Sequence, residues 1–379
     1  MKNKLDIQLF IEHHSDWESL LQEKPYCLNI SRDEVFGKKL IMFKYNQIES
    51  DFNINLVREC RGIIFDENTW EPITVPFFKF GNHGESYCPT IDWQTASVLT
   101  KVDGSLIKIV LIGDELLIST NGTIDAFKAP IAEQLGCKYK SFGEIVQEIL
   151  DKKLVIPHDF KEGVTYMFEL VSPWTRVVVP HKENDLYFLG ERDNESFQET
   201  LPYDDQYVSF MFKTPKKFNL HSVDECLAAT KEMPWDEEGY VVVDKDFNRV
   251  KIKSPSYVAA HHLKGNGVMS YARALELVRS NEIDEVCKYF EEFRPALEEC
   301  KNRFWTLVED TEKAWSDYLK IDETLPTRKD KALWITKHFK VPGLAFGLLD
   351  KKIESVKSFF MDAPGDKLVK MLGYKIEAS

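Results

Sequence analysis

The 379-residue chain has no cysteine pairing pattern, no membrane-length apolar run and no surplus of positive charge. Its seven cysteines (Cys27, Cys60, Cys88, Cys137, Cys226, Cys287 and Cys300) are odd in number, scattered and never spaced Cys-x-x-Cys. That argues against both a disulfide frame and a zinc site. The histidines are equally dispersed, and His261-His262, which follows a basic strand, reads either as a ligand pair or as packing at a domain junction. No apolar stretch approaches the ~18 residues of a membrane span. The first residues, Met1-Lys2-Asn3-Lys4-Leu5-Asp6, lack the apolar core of a secretory signal, so a cytoplasmic location without membrane attachment is expected. Internal repeats and low-complexity linkers are missing too.

Positive charge is scarce overall, with a net charge of −13 that would ordinarily argue against a nucleic-acid partner. The whole acidic excess lies before residue 254; beyond it, basic and acidic residues balance. A local basic cleft needs no basic average, and an acidic exterior discourages nonspecific binding, so charge leaves the matter open.

The pattern along the chain changes near residue 254. Before it, short β-branched runs alternate with Gly, Asn and Asp turns, and strands are predicted at Lys39 to Phe43, Leu106 to Ile112, Leu116 to Thr120, Thr165 to Val171, Val177 to Pro180, Leu186 to Leu189 and Tyr240 to Val243. Ser141 to Asp151 carries apolar residues at helical spacing. The class is α+β, built on antiparallel sheet. After residue 254 the spacing turns helical: Leu297, Cys300, Phe304, Leu307, Val308, Thr311, Trp315 and Tyr318 step by three and four from Pro295. A preceding helix is marked by Val286, Tyr289, Phe290 and Phe293, and later ones by Leu333 to Phe339 and Ile353 to Phe360, with breaks at Val341-Pro342-Gly343 and Ala363-Pro364-Gly365. These aromatic stripes read as core rather than as a base-stacking platform.

What is present in the first part is an ordered series of charges set inside apolar, strand-like runs. They are Glu59-Cys60-Arg61-Gly62-Ile63, Lys101-Val102-Asp103-Gly104-Ser105, Met167-Phe168-Glu169-Leu170-Val171, Glu238-Gly239-Tyr240-Val241-Val242 and Val250-Lys251-Ile252-Lys253. A charge buried unpaired costs several kcal/mol, so charges retained there usually face a polyanion, a metal or one another. Each segment alone has a plainer reading. Lys-x-Asp-Gly is also a hairpin signature. Lys251 and Lys253 suit a solvated edge strand, Glu169 could pair with Arg176, and Glu237-Glu238 could be an acidic loop.

Taken in order, and with Phe43-Lys44-Tyr45-Asn46 and residues 76–82 added, the set resembles the covalent nucleotidyltransferases, the superfamily of polynucleotide ligases and capping enzymes. Within it the chain resembles the phage-type RNA ligase 1 family, a tRNA-repair class, over residues 40 to 260. The resemblance implies an antiparallel-sheet, ATP-grasp-like adenylyltransferase domain over 1–253. A helical C-terminal domain over 254–379, in place of the usual β-barrel, is linked in that family to tRNA recognition.

The implied activity is ATP-dependent joining of RNA 5′-phosphate and 3′-hydroxyl ends through lysyl-AMP, with Mg²⁺ or Mn²⁺ as cofactor. The expected partner is RNA, including a tRNA anticodon loop, and the expected state is a monomer. Lys101 would be the nucleophile, and only its unprotonated amine can attack phosphorus, so a lowered pKa is expected. Lys251 and Lys253, on one strand face, would hold the α-phosphate. Glu169 would accept from the ribose hydroxyl, and Glu238 would bind metal. Tyr45, Arg61 and Lys79 match positions at the nucleotide phosphates, Arg61 being suited to bidentate binding and Tyr45 equally to packing.

Tyr257 matches a position important for ligation, at the substrate RNA. Asp284 falls near a family metal-binding acid, where an exposed helix carboxylate is the competing reading. Asn121 departs from the family by standing where a basic residue is common, and Gly81 by standing where a ring is found, which leaves Phe80 for stacking on adenine. The rival activities are DNA ligation, capping-type transfer, and RNA binding without turnover.

Overall fold

The computed structural model describes residues 3–132, 136–204, 207–258, 271–281, 283–287 and 291–374. Contacts divide the chain into two compact units, Met1–Ala259 and Ala260–Ser379. Among the described residues no helix is long and apolar enough to cross a membrane.

Three antiparallel sheets build the first unit. The first runs in the order of the chain, β1 (Leu28–Val35), β2 (Lys38–Tyr45), β3 (Arg61–Asp66) and β4 (Pro72–Thr74). β5 (Ser97–Thr100) belongs to the third sheet. The second sheet takes β6 (Ser105–Ile112), β7 (Glu115–Thr120), β8 (Val164–Val171), β9 (Asp185–Asp193) and β10 (Glu199–Thr200), in the order β10-β9-β8-β6-β7. The third is completed by β11 (Lys217–Phe218), β12 (Gly239–Val243) and β13 (Arg249–Lys253), in the order β11-β5-β12-β13.

Period-2 alternation decides which layers meet. On β6, Ile107, Ile109 and Leu111 share a core with Ile145, Val146 and Ile149 of the helix Phe142–Lys152. The next residue along, Val110, turns the other way and packs with Leu117 of β7 against Leu40, Met42 and Ile64 of the first sheet. The first sheet's far face, with Ile41, Phe43, Ile63 and Phe65, is covered by Leu5, Ile7 and Leu21 of the N-terminal segment. The third sheet packs Val98, Tyr240, Val242, Val250 and Ile252 against the side of helix Val223–Lys231 that carries Cys226.

The expected helix near 141–151 is present, and Ser141 caps it by accepting the Glu144 amide. Val177 to Pro180 is not a strand: the amides of Val178 and Val179 donate to the Asp103 carboxylate at 2.8 and 2.6 Å instead of to a neighbouring strand. A side chain more than seventy positions away took the donors on which the local pattern had counted.

The second unit is helical. Its long helix, Arg294–Ile321, buries the predicted stripe at Leu297, Cys300, Phe304, Leu307, Val308, Thr311 and Tyr318. Arg328–His338 and Val356–Asp362 answer two further predictions. Tyr271–Ser280 was not foreseen, and the Val341-Pro342-Gly343 break also opens a helix, Pro342–Leu349, with Pro342 in its first turn. The helix predicted around residue 289 is described only as Ile283–Cys287 and a turn at Glu291–Phe293. Tyr289, Phe290 and the His261-His262 pair lie outside the described residues.

Candidate active site

The nucleophile candidate sits where the second and third sheets meet. β5 ends at Thr100, and the Lys101 amide donates 2.8 Å to the Gly239 carbonyl, so the turn carrying Lys101 is stitched to the start of β12. β12 pairs with β13 in a register that opposes Gly239 to Lys253 and Val241 to Lys251. Gly239 has φ +126°, and a Cβ there would stand 2.2 Å from the Ile252 carbonyl oxygen. Glycine is therefore required beside Glu238 by both backbone conformation and space.

A cavity opens at this junction, lined by Arg61, Phe80, Lys101, Glu169, Val241 and Lys251 among others. Its lining, apolar walls with a few convergent charged groups, is of the kind that binds a small ligand. Two neighbouring openings, one with Lys44, Tyr45, Gln47 and Asn121 and one with Lys101, Gly104, Thr120 and Asn121, share Arg61 with it. The Arg61 Nε and Nη1 atoms are buried without a hydrogen-bond acceptor, which in a cavity wall marks a binding group for an anion.

Charges converge on the cavity. Glu238, 5% exposed, places Oε2 2.7 Å from Lys101 Nζ and Oε1 3.1 Å from Lys253 Nζ. Lys251 lies on the same face of β13 as Lys253, with Nζ 4.7 Å from the centre of the Phe80 ring, while the Arg61 guanidinium is 5.3 Å from that ring. Glu169 is half-buried on β8 and pairs with no cation within the described residues; Arg176 instead donates its Nε to the Val178 carbonyl. Lys79 stacks its amine over Tyr45 and Phe52, at 5.1 and 4.7 Å, and donates to Gln47. Tyr45 thus packs edge-on against Phe52 and also lines the second opening.

The amine with the lowered pKa is not the expected one. Burial alone would lower Lys101, but Glu238, Glu169 and Asp103 outweigh it and hold the pKa above the ordinary lysine value. Lys251, by contrast, is pushed down to about 6 by burial and by Arg61, Lys101, Lys79 and Lys253. Lys79 is lowered to about 8, by burial first and Arg61 second. Burial raises Glu169 to about 7, against the pull of Lys101.

A family model described as RNA ligase matches residues 59–257, from the Glu-Cys-Arg-Gly segment to Tyr257. The chain belongs to the phage-type RNA ligase family. The similar curated proteins agree. "Putative bifunctional polynucleotide kinase/RNA ligase" of Autographa californica nuclear polyhedrosis virus is 28% identical over 286 residues, 68% of this chain but only 38% of the viral protein. "Putative RNA ligase" of Thermovibrio ammonificans is 25% identical over 325 residues, 79% of this chain and 80% of its own length. "RNA ligase" of Rhodothermus phage RM378 is 25% identical over 352 residues, covering 75% and 78%.

Two expected site residues are engaged by other side chains. Tyr257 does not face a substrate groove: it is 1% exposed, its hydroxyl donates 2.7 Å to Asp103, and Lys253 Nζ lies 5.5 Å from its ring centre. It braces the nucleophile turn from within, together with His181, whose Nε2 meets the Asp103 carbonyl at 2.8 Å. Asp284 belongs to the helical unit, is 86% exposed and ion-pairs with Arg294 at 2.9 Å, the arrangement of a solvated helix carboxylate.

Sequence reading also missed a buried clasp in the ligase fold, in which Glu199 of β10 ion-pairs with Arg192 of β9 and, at 2.5 Å, with Arg249 of β13. Arg192 and Arg249 stack on Phe78 and Phe77, both at 4.2 Å, and so hold the segment leading to Lys79 and Phe80. No local pattern announces it, because Arg192 and Glu199 meet through strand register in the second sheet and Arg249 comes from the third.

Proposed function

We propose that this RNA ligase uses ATP and seals RNA 5′-phosphate and 3′-hydroxyl ends through a lysyl-AMP intermediate. The observation that carries the reading is the convergence on one cavity of Lys101 with Arg61, Glu169 and Lys251. In the first step the Lys101 amine forms a P–N bond to the α-phosphorus of ATP, and the P–O bond to diphosphate breaks. The proton that the ammonium sheds beforehand lies on its hydrogen bond to Glu238 Oε2, 2.7 Å away. Arg61 and Lys251 take phosphate oxygens, while Glu169 accepts from the ribose. AMP then passes to the RNA 5′-phosphate, and attack by the 3′-hydroxyl releases it.

Glu238 would be the carboxylate to hold a divalent cation, in place of one of its two ion pairs. The two oxygens of this buried carboxylate already attract two cationic amines, and no cluster of three His, Cys, Asp or Glu side chains occurs among the described residues. A site with one carboxylate suits Mg²⁺ or Mn²⁺ completed by phosphate oxygens and water. When bound, the ion supplies charge screening for the phosphates.

Incubation with ATP labelled at the α-phosphate should leave acid-stable label on the chain, with GTP ineffective, and Lys101→Ala should remove it. Label persisting in that variant would reject the reading. We further propose RNA repair as the role, with a broken tRNA anticodon loop as substrate. A nicked anticodon stem-loop should then be sealed faster than an unstructured RNA of equal length, and equal rates would count against the tRNA part.

A further inference from the structure

Lys108 is fully buried, and the mechanism above does not use it. It lies on β6 with the parity of Val110, so its stem runs between the first and second sheets, where the surrounding contacts are apolar. Its register partners, Ser119 on β7 and Met167 on β8, bring no charge. Its amine nitrogen donates to the carbonyl of Gly62, the residue directly after Arg61. Gly62 has no slack: φ is +79°, and a Cβ there would stand 2.6 Å from the Asn121 carbonyl oxygen. The peptide carrying Arg61 is therefore pinned from two sides, by Lys108 through a hydrogen bond and by Asn121 through contact.

We propose that Lys108 is a positioning residue that fixes Arg61 toward the phosphates of bound nucleotide, and that it takes up a proton when nucleotide binds; this rests on the ATP reading above. Two facts support the first half. Arg61 presents two buried N–H groups without acceptors to the cavity. Neither Arg61 nor its neighbour Lys44 ion-pairs with a carboxylate among the described residues, so the anchored side chain is kept ready for an anion.

The second half follows from the charges around the amine. Among the described residues, the charges that act on it are Arg61 on β3 and Lys44 on β2. Burial and these two cations push it down to about 7, which leaves it mostly neutral at pH 8. Phosphates on Arg61 and Lys44 offset that repulsion, so the amine gains a proton as nucleotide enters.

Calorimetric titration of the full chain with ATP, in two buffers of different ionisation enthalpy at pH 8, tests both halves. Lys108→Met should weaken ATP binding by about tenfold, as for loss of one buried hydrogen bond near a charge. The double variant with Arg61→Ala should bind no worse than Arg61→Ala alone. Independent, additive losses would overturn the positioning role.

Proton uptake should be smaller in Lys108→Met than in the wild-type chain, since Lys251 contributes equally to both; equal uptake would overturn the proton step. Should Lys108→Met fail to fold, Lys108→Arg keeps a permanent cation there and should bind ATP while losing the same share of uptake. Absence of ATP binding by the wild-type chain would instead strike down the underlying reading, and is distinguishable from either result.

Discussion

One carboxylate, that of Glu238, holds two amines at once, Lys101 through Oε2 and Lys253 through Oε1, at 2.7 and 3.1 Å. Together with Glu169 and Asp103 it favours the protonated form of Lys101. Since the folded-state pKa of Lys101 is raised, this pairing stabilises the fold fully below the ordinary lysine pKa and is lost as pH rises past the folded value.

Glu238→Gln should therefore make Lys101 reactive at lower pH. Acetylation of Lys101 followed by mass spectrometry across pH 7 to 11 should show its midpoint moving down by about one unit, the scale of a close charge partner. An unmoved midpoint would mean that Glu238 does not set the charge state of Lys101.

Lys251 has the opposite sign. Its folded pKa lies near 6, below that of the unfolded chain, so between those values the unfolded state binds more protons and stability rises with pH. Lys251→Met should flatten that rise and raise the melting temperature at pH 7 by a few degrees, as expected for removing roughly 1 kcal/mol of unpaired amine burial. Thermal melts from pH 6 to 10 read both effects. A steeper rise in the variant would refute the assignment.

Arg61→Lys preserves charge but not the planar fork. Two buried donors that have no protein acceptor would be lost, and ATP affinity should fall by roughly 10- to 100-fold while the fold stays intact. Equilibrium binding together with a melt decides whether affinity or stability has moved.

Gly239→Ala should be the most damaging small change in the unit. The new Cβ would meet the Ile252 carbonyl at 2.2 Å in a backbone conformation closed to alanine. The β12–β13 pairing must open, at a cost of about 2 kcal/mol or more. Chemical denaturation should show that loss, and label transfer from ATP should disappear with it. Wild-type stability would show that the strand ends can part freely.

Much of the site could be read in the chain because each member is a charge embedded in an apolar run: Lys101, Glu169, Lys251 and Arg61 announce themselves and line one cavity, and Glu238 joins them through its ion pair with Lys101. Less visible was the balance of fields. Which lysine loses its proton depends on three carboxylates and four cations brought together from strands far apart in sequence. The same distance hid the setting of Tyr257, which matched a family position important for ligation and whose hydroxyl is taken by Asp103. Val177 to Pro180 had the residues of a strand, and lost its amides to that same carboxylate. Lys108 carried a signal that could have been used, being a lysine in step with Leu106 and Val110 in an otherwise apolar strand. The helical unit was easier, since its long amphipathic stripe needs no distant partner to be recognised.

Arg61 borders three openings with a single guanidinium. An anion held in one of them uses the same guanidinium that the other two offer, so its charge weakens the attraction left there for a second anion.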